Sequence, residues 1–125
     1  SVLLFNLGVC RCFLEAYQPA VETMTQAHGL AMESGQMYVA GKALTWLGRL
    51  ESRLESQSCG AALEHILQGI KILGGLDILP ELALGHLFLG EVYARSGDGG
   101  RSAEQLSRAR QMFQDLGMRS QRSIK

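Results

Sequence analysis

The sequence predicts an all-α fold made of three copies of a two-helix unit. Composition is the first reason: of 125 residues 46% are hydrophobic, yet only 6% are aromatic and 2 are proline. Leu, Ala, Glu, Gln, Arg and Met, which favour helix over strand, recur throughout. A chain of this length is expected to form about one domain, so we expect a single domain over 1–125.

Self-similarity is the second reason. A Leu-Gly pair occurs at residues 7–8, 47–48 and 89–90, with spacings of 40 and 42 residues. A second set follows each pair with an internal spacing of four and then three residues: Ala20, Met24 and Ala27; Ala62, Ile66 and Gly69; Ser102, Leu106 and Ala109. A period of about 20–50 residues indicates an array of similar units. The expected repeats are 1–36, 37–78 and 79–117, followed by a basic tail at 118–125.

Glycine and proline mark the helix ends. A glycine inside a helix costs about 1 kcal/mol relative to alanine, so three in register indicate close approach of two helices. Pro19 and Pro80 fit a first helical turn. The glycines of "ESGQ", "GGLD" and "DLGM" are expected to end the second helix of each unit. The predicted helices are 2–16, 18–33, 37–55, 60–74, 80–96 and 101–116.

The third copy resembles the tetratricopeptide repeat family, whose pattern is W-x₂-L-G-x₂-Y and then A-x₃-F in a helix-turn-helix unit. The stretch "HLFLGEVY" at 86–93 matches that pattern with His in place of Trp, and Ser102 stands in place of Ala. The tyrosine position holds Glu51 in the second copy and Arg11 in the first. The resemblance covers nearly all of the chain.

The family's usual period is 34 residues, and this chain repeats at 40 to 42. The longer unit is similar to repeats near the C-termini of large bacterial signalling proteins, where they follow an ATPase module that accompanies nucleotidyl cyclases or LuxR-type transcription regulators. "LPELALGHLFLGEVYARSGD" and "ARQMFQDLGM" are most similar to the adenylate or guanylate cyclase-linked group. The resemblance implies an α-solenoid of about six antiparallel helices in a right-handed superhelix. With no initiator Met at Ser1, we expect a fragment of a longer protein.

In the tetratricopeptide arrangement the first helix of each unit lines a concave groove. The resemblance implies that the partner-binding residues are Phe5, Val9, Phe13, Arg49, Arg53, Leu87, Glu91 and Arg95. Three of these are arginines, whose guanidinium groups suit an acidic protein or peptide segment. The alternative is that the arginines pair with Glu91 and Glu51 in solvent.

The two ends of the array differ. "VLLFNLGVCRCFLEAY" is apolar nearly all round, and a helix of that kind is buried on more than one side. We expect other domains of the parent chain to cover it, or a homodimer to form through Val2, Phe5, Val9 and Phe13. The last helix has a polar outer face, which is typical of a terminal cap.

The sequence predicts no catalytic, cofactor or metal site, and hence no enzyme. In "GQMYVAGKAL" five residues separate the glycines and Ala43 follows the lysine, which departs from a phosphate-binding loop. The three histidines fall on three different predicted helices and are expected to be structural, with His86 in the core. Cys10 and Cys12 point about 200° apart on a helix and are expected to be small core residues.

Charge and hydropathy restrict the classes of partner that we expect. The 12 basic residues balance the 12 acidic ones, so no overall field favours nucleic acid. No apolar run approaches the roughly 20 residues of a membrane span, and three unpaired thiols fit a reducing cytoplasm. Two functions remain: a protein-protein interaction scaffold, or a small-ligand sensor that regulates an attached ATPase, cyclase or transcription regulator.

Overall fold

A computed structural model describes residues 2–13, 16–54 and 59–124, with side chains described at 2–11, 16–54 and 59–117. Within these ranges the chain is all-helical, as predicted. The six helices of the described part are α1 (Val2–Phe13), α2 (Tyr17–Ser34), α3 (Met37–Glu51), α4 (Cys59–Gly75), α5 (Leu79–Arg95) and α6 (Gly99–Ile124).

One of the three predicted glycine stops is wrong, and a second ends its helix within one residue of the predicted position but through a different left-handed residue. Gly35 ends α2 in the left-handed conformation (φ 74°), as expected, and its chain neighbour Gln36 donates its backbone N–H to Ala31 O at 2.8 Å. In "GGLD", however, the left-handed residue is Asp77 (φ 58°), because α4 continues through both glycines. Aspartate tolerates this conformation better than most residues with a side chain.

The predicted end of the last helix is wrong. The expected stop at 116 and the separate basic tail at 118–125 are replaced by a helix that runs to Ile124. Gly117 does not adopt positive φ, so it does not break the helix. The surrounding Arg, Gln and Met residues favour helix, and the Gln111 amide donates to Asp115 Oδ1 four residues on (3.0 Å). The glycine costs the helix about 1 kcal/mol and does not end it.

Paired helices run antiparallel. Gly41, near the start of α3, faces Leu73 near the end of α4. Gly48, near the end of α3, faces Ala62 and Ile66 near the start of α4. The first helices α3 and α5 instead run parallel, because Tyr38 contacts Glu81 near both helix starts and Arg49 contacts Glu91 near both ends. Helices α1 and α3 also run parallel, because Arg11 near the end of α1 and Arg53 just after α3 both contact the first turn of α2. The chain therefore returns to the same starting side after each pair.

The same close approach occurs in each pair. A Cβ on Gly48 would lie 2.5 Å from the carbonyl oxygen of Ala62, which is far inside van der Waals contact. A Cβ on Gly8 would lie 2.9 Å from Met24 Cε, and one on Gly90 would lie 2.8 Å from Leu106 Cδ2. These are the glycines and second-helix residues that the repeat pattern aligns. The role predicted for these glycines, packing of two helices, agrees with these contacts.

The core forms two clusters that share one side chain. The first joins α1, α2 and α3 and includes the fully buried Met24 and Leu50. The second joins α4 and α5 and includes the fully buried Ile66 and Val92. Trp46 packs against both clusters. It therefore links the packing of neighbouring pairs.

Both ends of the helical array expose apolar side chains. On α1, Phe5 is buried and Val9 packs against the first core cluster, so the face they form is not free for a partner. Val2 is exposed, as the predicted self-association needs, and so are Leu3, Leu7 and Cys10. The exposure of Cys10 corrects the expectation that it is a core residue. The side chain of Cys12 lies outside the described residues. At the other end, the exposed described side chains of α6 are mostly polar, as expected for a cap, but Leu106 and Phe113 are exposed as well.

Alanine substitution of two helical glycines is expected to change stability in opposite directions. Gly48→Ala is expected to lower the free energy of unfolding by about 1–3 kcal/mol, because the new Cβ meets the rigid backbone of α4. Gly29→Ala, on the exposed side of α2 with nothing within 4 Å of the new Cβ, is expected to raise it by about 1 kcal/mol. Urea denaturation followed by circular dichroism measures both. Equal effects at the two sites would contradict the packing role of Gly48.

Candidate functional site

Three aromatic rings join the parallel helices α1, α3 and α5. The Trp46 ring lies edge-on between Phe5, at a centroid distance of 6.4 Å, and Phe88, at 5.0 Å. Such edge-to-face pairs add about 0.5–1.5 kcal/mol to the burial of their apolar surface. The rings therefore set the spacing of the three helices and form the floor of a surface above them.

Two arginines share one carboxylate above this floor. Arg49 Nε lies 3.4 Å from Glu91 Oε2, and Arg53 Nη2 lies 3.8 Å from the same oxygen. The Arg49 guanidinium also lies 4.7 Å from the centroid of Phe88 and 5.4 Å from that of Trp46. Arg49 Nε is buried and makes no hydrogen bond within the described residues, so charge attraction rather than a directed bond holds it beside Glu91. Two cations thus face one anion.

A second charged group lies nearer the start of α3. Lys42 Nζ lies 4.4 Å from the Phe5 ring centroid and 4.3 Å from that of Tyr38, at cation–π distance. The Tyr38 hydroxyl donates to Glu81 Oε1 at 2.9 Å. Burial lowers the pKa of Lys42 and Glu81 opposes this, whereas burial and then Glu81 both raise the pKa of Tyr38. We name the whole surface the cation–aromatic face: Tyr38, Lys42, Trp46, Arg49, Arg53, Glu81, Phe88 and Glu91.

The structure brings together some of the predicted groove residues and separates others. Arg49, Arg53 and Glu91 meet on the cation–aromatic face. Phe5 lies in the floor beneath them, and Arg95 is exposed at the end of α5. Val9 packs into the core, Leu87 lines a separate groove beside α6, and the side chain of Phe13 lies outside the described residues.

The alternative reading of the arginines is correct for one acid and wrong for the other. Glu91 is their partner, whereas Glu51 points to α4 and pairs with His65 Nδ1. Glu51 and His65 are 14 positions apart in the sequence and lie on different helices, so no local spacing indicated this pair. Lys42 and Trp46 were also missed. Their i, i+4 spacing and the single Trp of the sequence were the available signals.

The core position predicted for His86 is confirmed. Its side chain is buried, and Nδ1–H donates to Gln105 Oε1 on α6 (2.7 Å). Burial lowers the pKa of His86; the Gln105 hydrogen bond partly opposes this, and the positive charge of Arg108 adds to it. Burial, and then the neighbouring His65, likewise lower the pKa of His28. Within the described side chains, no group of three or more His, Cys, Asp or Glu residues has the arrangement of a metal site.

Comparisons with protein families, curated proteins and solved structures found no match. The cation–aromatic face is the candidate functional site. A search of the described helices finds none with the length and apolar character needed to cross a membrane. The face combines a rigid aromatic floor with charged groups of both signs, and cations are in excess.

The free energy of unfolding is expected to fall as the pH drops below about 6.5, the ordinary pKa of histidine. Because burial lowers the pKa of folded His86, the unfolded chain binds a proton that the folded chain does not, and acid favours unfolding. The contribution of His86 to the free energy of unfolding is constant well above pH 6.5 and is lost progressively as the pH falls below that value. His86→Phe is expected to reduce the slope of unfolding free energy against pH between about pH 5 and 7.

Gln105→Ala provides the matched comparison. The hydrogen bond from Gln105 raises the pKa of His86, so its removal is expected to lower that pKa further and to widen the acid-sensitive range. Denaturation series at several pH values measure the slopes, and the contribution of His28 is common to every variant. An unchanged slope in His86→Phe would show that His86 does not cause the acid sensitivity.

Proposed function

We propose that this chain is a non-catalytic protein-protein interaction scaffold whose cation–aromatic face binds an acidic segment of a protein or peptide partner. The observation that carries the proposal is the contact of Arg49 and Arg53 with a single carboxylate, Glu91, above the rings of Trp46 and Phe88. The face therefore holds two guanidinium groups in place, and the single carboxylate beside them balances only one of their two positive charges.

The proposed architecture is an α-solenoid of three tetratricopeptide-like repeats in a right-handed superhelix. Its support is the recurrence of one helix contact at aligned positions, through Gly8, Gly48 and Gly90. The parallel course of α1, α3 and α5 gives further support, because the first helices of stacked repeats share one direction. In this architecture the first helices present their side chains to a common partner.

The chemistry of the face favours a carboxylate-rich partner. Arginine binds carboxylates through parallel N–H···O bonds, and these are stronger than neutral hydrogen bonds. The rings beneath Arg49 restrict its motion, so less conformational entropy is lost when a partner binds. An acidic side chain of the partner can contact the guanidinium of Arg53, or it can replace Glu91 beside both arginines. The partly exposed ring of Trp46 then contacts the neighbouring apolar side chains of the partner.

The resemblance supplies the proposed context. The chain acts as a module of a larger cytoplasmic bacterial signalling protein, in which an ATPase module accompanies an adenylate or guanylate cyclase. The acidic segment belongs either to another domain of the parent chain or to a separate protein. The module itself needs no cofactor for this role.

Neutralising the two arginines is expected to weaken binding of an acidic peptide. Fluorescence anisotropy with a labelled peptide rich in Glu and Asp is expected to give about a tenfold or greater loss of affinity for Arg49→Gln/Arg53→Gln. Glu91→Gln is expected to strengthen binding, because it frees both guanidinium groups. Trp46 is the only tryptophan of the chain and touches Arg49, so its fluorescence reports binding independently.

A double variant with the same loss of charge is the control. Lys71→Gln/Arg101→Gln changes two exposed cations away from the face and is expected to keep the affinity of the unaltered protein. A second peptide with Gln and Asn in place of the acids tests the need for carboxylates. Equal losses in the two double variants, or equal binding of the two peptides, would contradict a specific acidic-segment site.

A thermal-shift screen against metabolites separates this role from that of a small-ligand sensor. A ligand that binds the folded chain raises its melting temperature by mass action. A scaffold is expected to respond to the acidic peptide and not to metabolites. A saturable shift with a metabolite, retained in Arg49→Gln/Arg53→Gln, would favour the sensor that regulates an attached ATPase, cyclase or transcription regulator.

A further inference from the structure

The first helix exposes a stripe that the later first helices bury. Leu3 is 84% exposed and Leu7 is 43% exposed. The residues at the same repeat positions in α3 are Ala43 and Leu47, which are 0% and 5% exposed because they pack on the preceding pair. Cys10 follows the same pattern, being exposed where α3 has the fully buried Leu50. We name Leu3, Leu7 and Cys10 the α1 stripe.

The last pair exposes the complementary surface. A groove of about 480 Å³ runs along α5 and α6, lined by Leu87, Leu106, Ala109, Arg110, Phe113 and Gln114. We name it the α5–α6 groove. Leu106 is 38% and Phe113 is 41% exposed. Their counterparts in α4, Ile66 and Leu73, are fully buried, and those in α2, Met24 and Ala31, are fully buried as well.

We propose that copies of this chain associate head to tail, with the α1 stripe of one copy packed in the α5–α6 groove of the next. The two junctions inside the chain serve as the template. At each of them a first helix covers the preceding pair through the repeat positions that α1 leaves exposed, and the preceding pair contributes the positions that line the groove. A junction between copies continues the same interface in the same register.

A second copy fits this groove better than the acidic segment proposed for the cation–aromatic face. The groove is lined mainly by apolar side chains, and the α1 stripe carries no charge. Arg110, the cation of the lining, is exposed and can keep its guanidinium in water while its aliphatic stem covers the docked helix. The groove is open along its length, so the aliphatic side chains of a docked helix can lie against its apolar lining.

The geometry also distinguishes this association from a symmetric dimer through α1. Different surfaces of the two copies meet, so a pair of copies keeps one unused α1 stripe and one unused α5–α6 groove, and growth continues beyond two copies. Sedimentation of the unaltered chain is expected to show an average mass that rises past the dimer as concentration increases. A monomer at every concentration would overturn the proposal.

Two charge substitutions block the two surfaces separately. Leu3→Glu places a carboxylate on the α1 stripe, and Phe113→Glu places one in the α5–α6 groove. Each is expected to weaken self-association about 100-fold or more, because the junction would bury an unpaired charge in place of an apolar side chain. Leu67→Glu changes a similarly exposed leucine on α4 and is expected to leave self-association unchanged.

Mixing the two blocked variants is the decisive experiment. The Leu3→Glu copy keeps an intact groove and the Phe113→Glu copy keeps an intact α1 stripe, so an equimolar mixture is expected to form a heterodimer and nothing larger. Circular dichroism first verifies that each variant keeps the helix content of the unaltered chain. Dimerisation of Phe113→Glu alone would indicate a symmetric α1 dimer and overturn the proposal, as would a mixture that stays monomeric.

Discussion

The close approach of paired helices at a glycine is the contact on which the rest of this structure depends. At Gly48 the α3 backbone comes so near to Ala62 of α4 that no side chain fits between them. This proximity lets the fully buried Ile66 fill the space beside α3 and brings Thr45 against Gly69. Because the contact recurs in every pair, the pairs have similar shapes and their first helices can follow one another in one direction.

The aromatic rings then convert similar pairs into a continuous surface. Trp46 packs on both core clusters and lies between Phe5 and Phe88, so α1, α3 and α5 are held at distances set by ring contacts. Arg49 lies on these rings and meets Glu91 of the neighbouring helix. The charged face and the core are therefore parts of one packing arrangement, and partner binding acts on side chains that the core already holds in place.

Local patterns predicted local structure well because helix formation responds to near neighbours. The repeated Leu-Gly pairs and the prolines located five of the six helices to within four residues. The failure at Gly117 has a physical reason: a glycine ends a helix where tertiary contacts turn the chain, and no such contact is described there. The Glu51–His65 pair shows that prediction from local patterns has the same limit for side-chain contacts. Their pairing depends on how α3 and α4 pack, which i, i+4 reasoning does not reach.

The sequence by itself determined the helical class, the three-fold recurrence and the positions of close helix contact, because each follows from composition or from spacing along the chain. The resemblance to tetratricopeptide repeats also implied that Arg49, Arg53 and Glu91 share one surface. Only the tertiary structure decided that Phe5 supports that surface from within, that Leu87 belongs to a different groove, and that Leu3 rather than Phe5 is exposed on α1. A helix turns a residue by about 100°, so the direction of a side chain depends on which neighbours the helix meets, and those neighbours are remote in sequence.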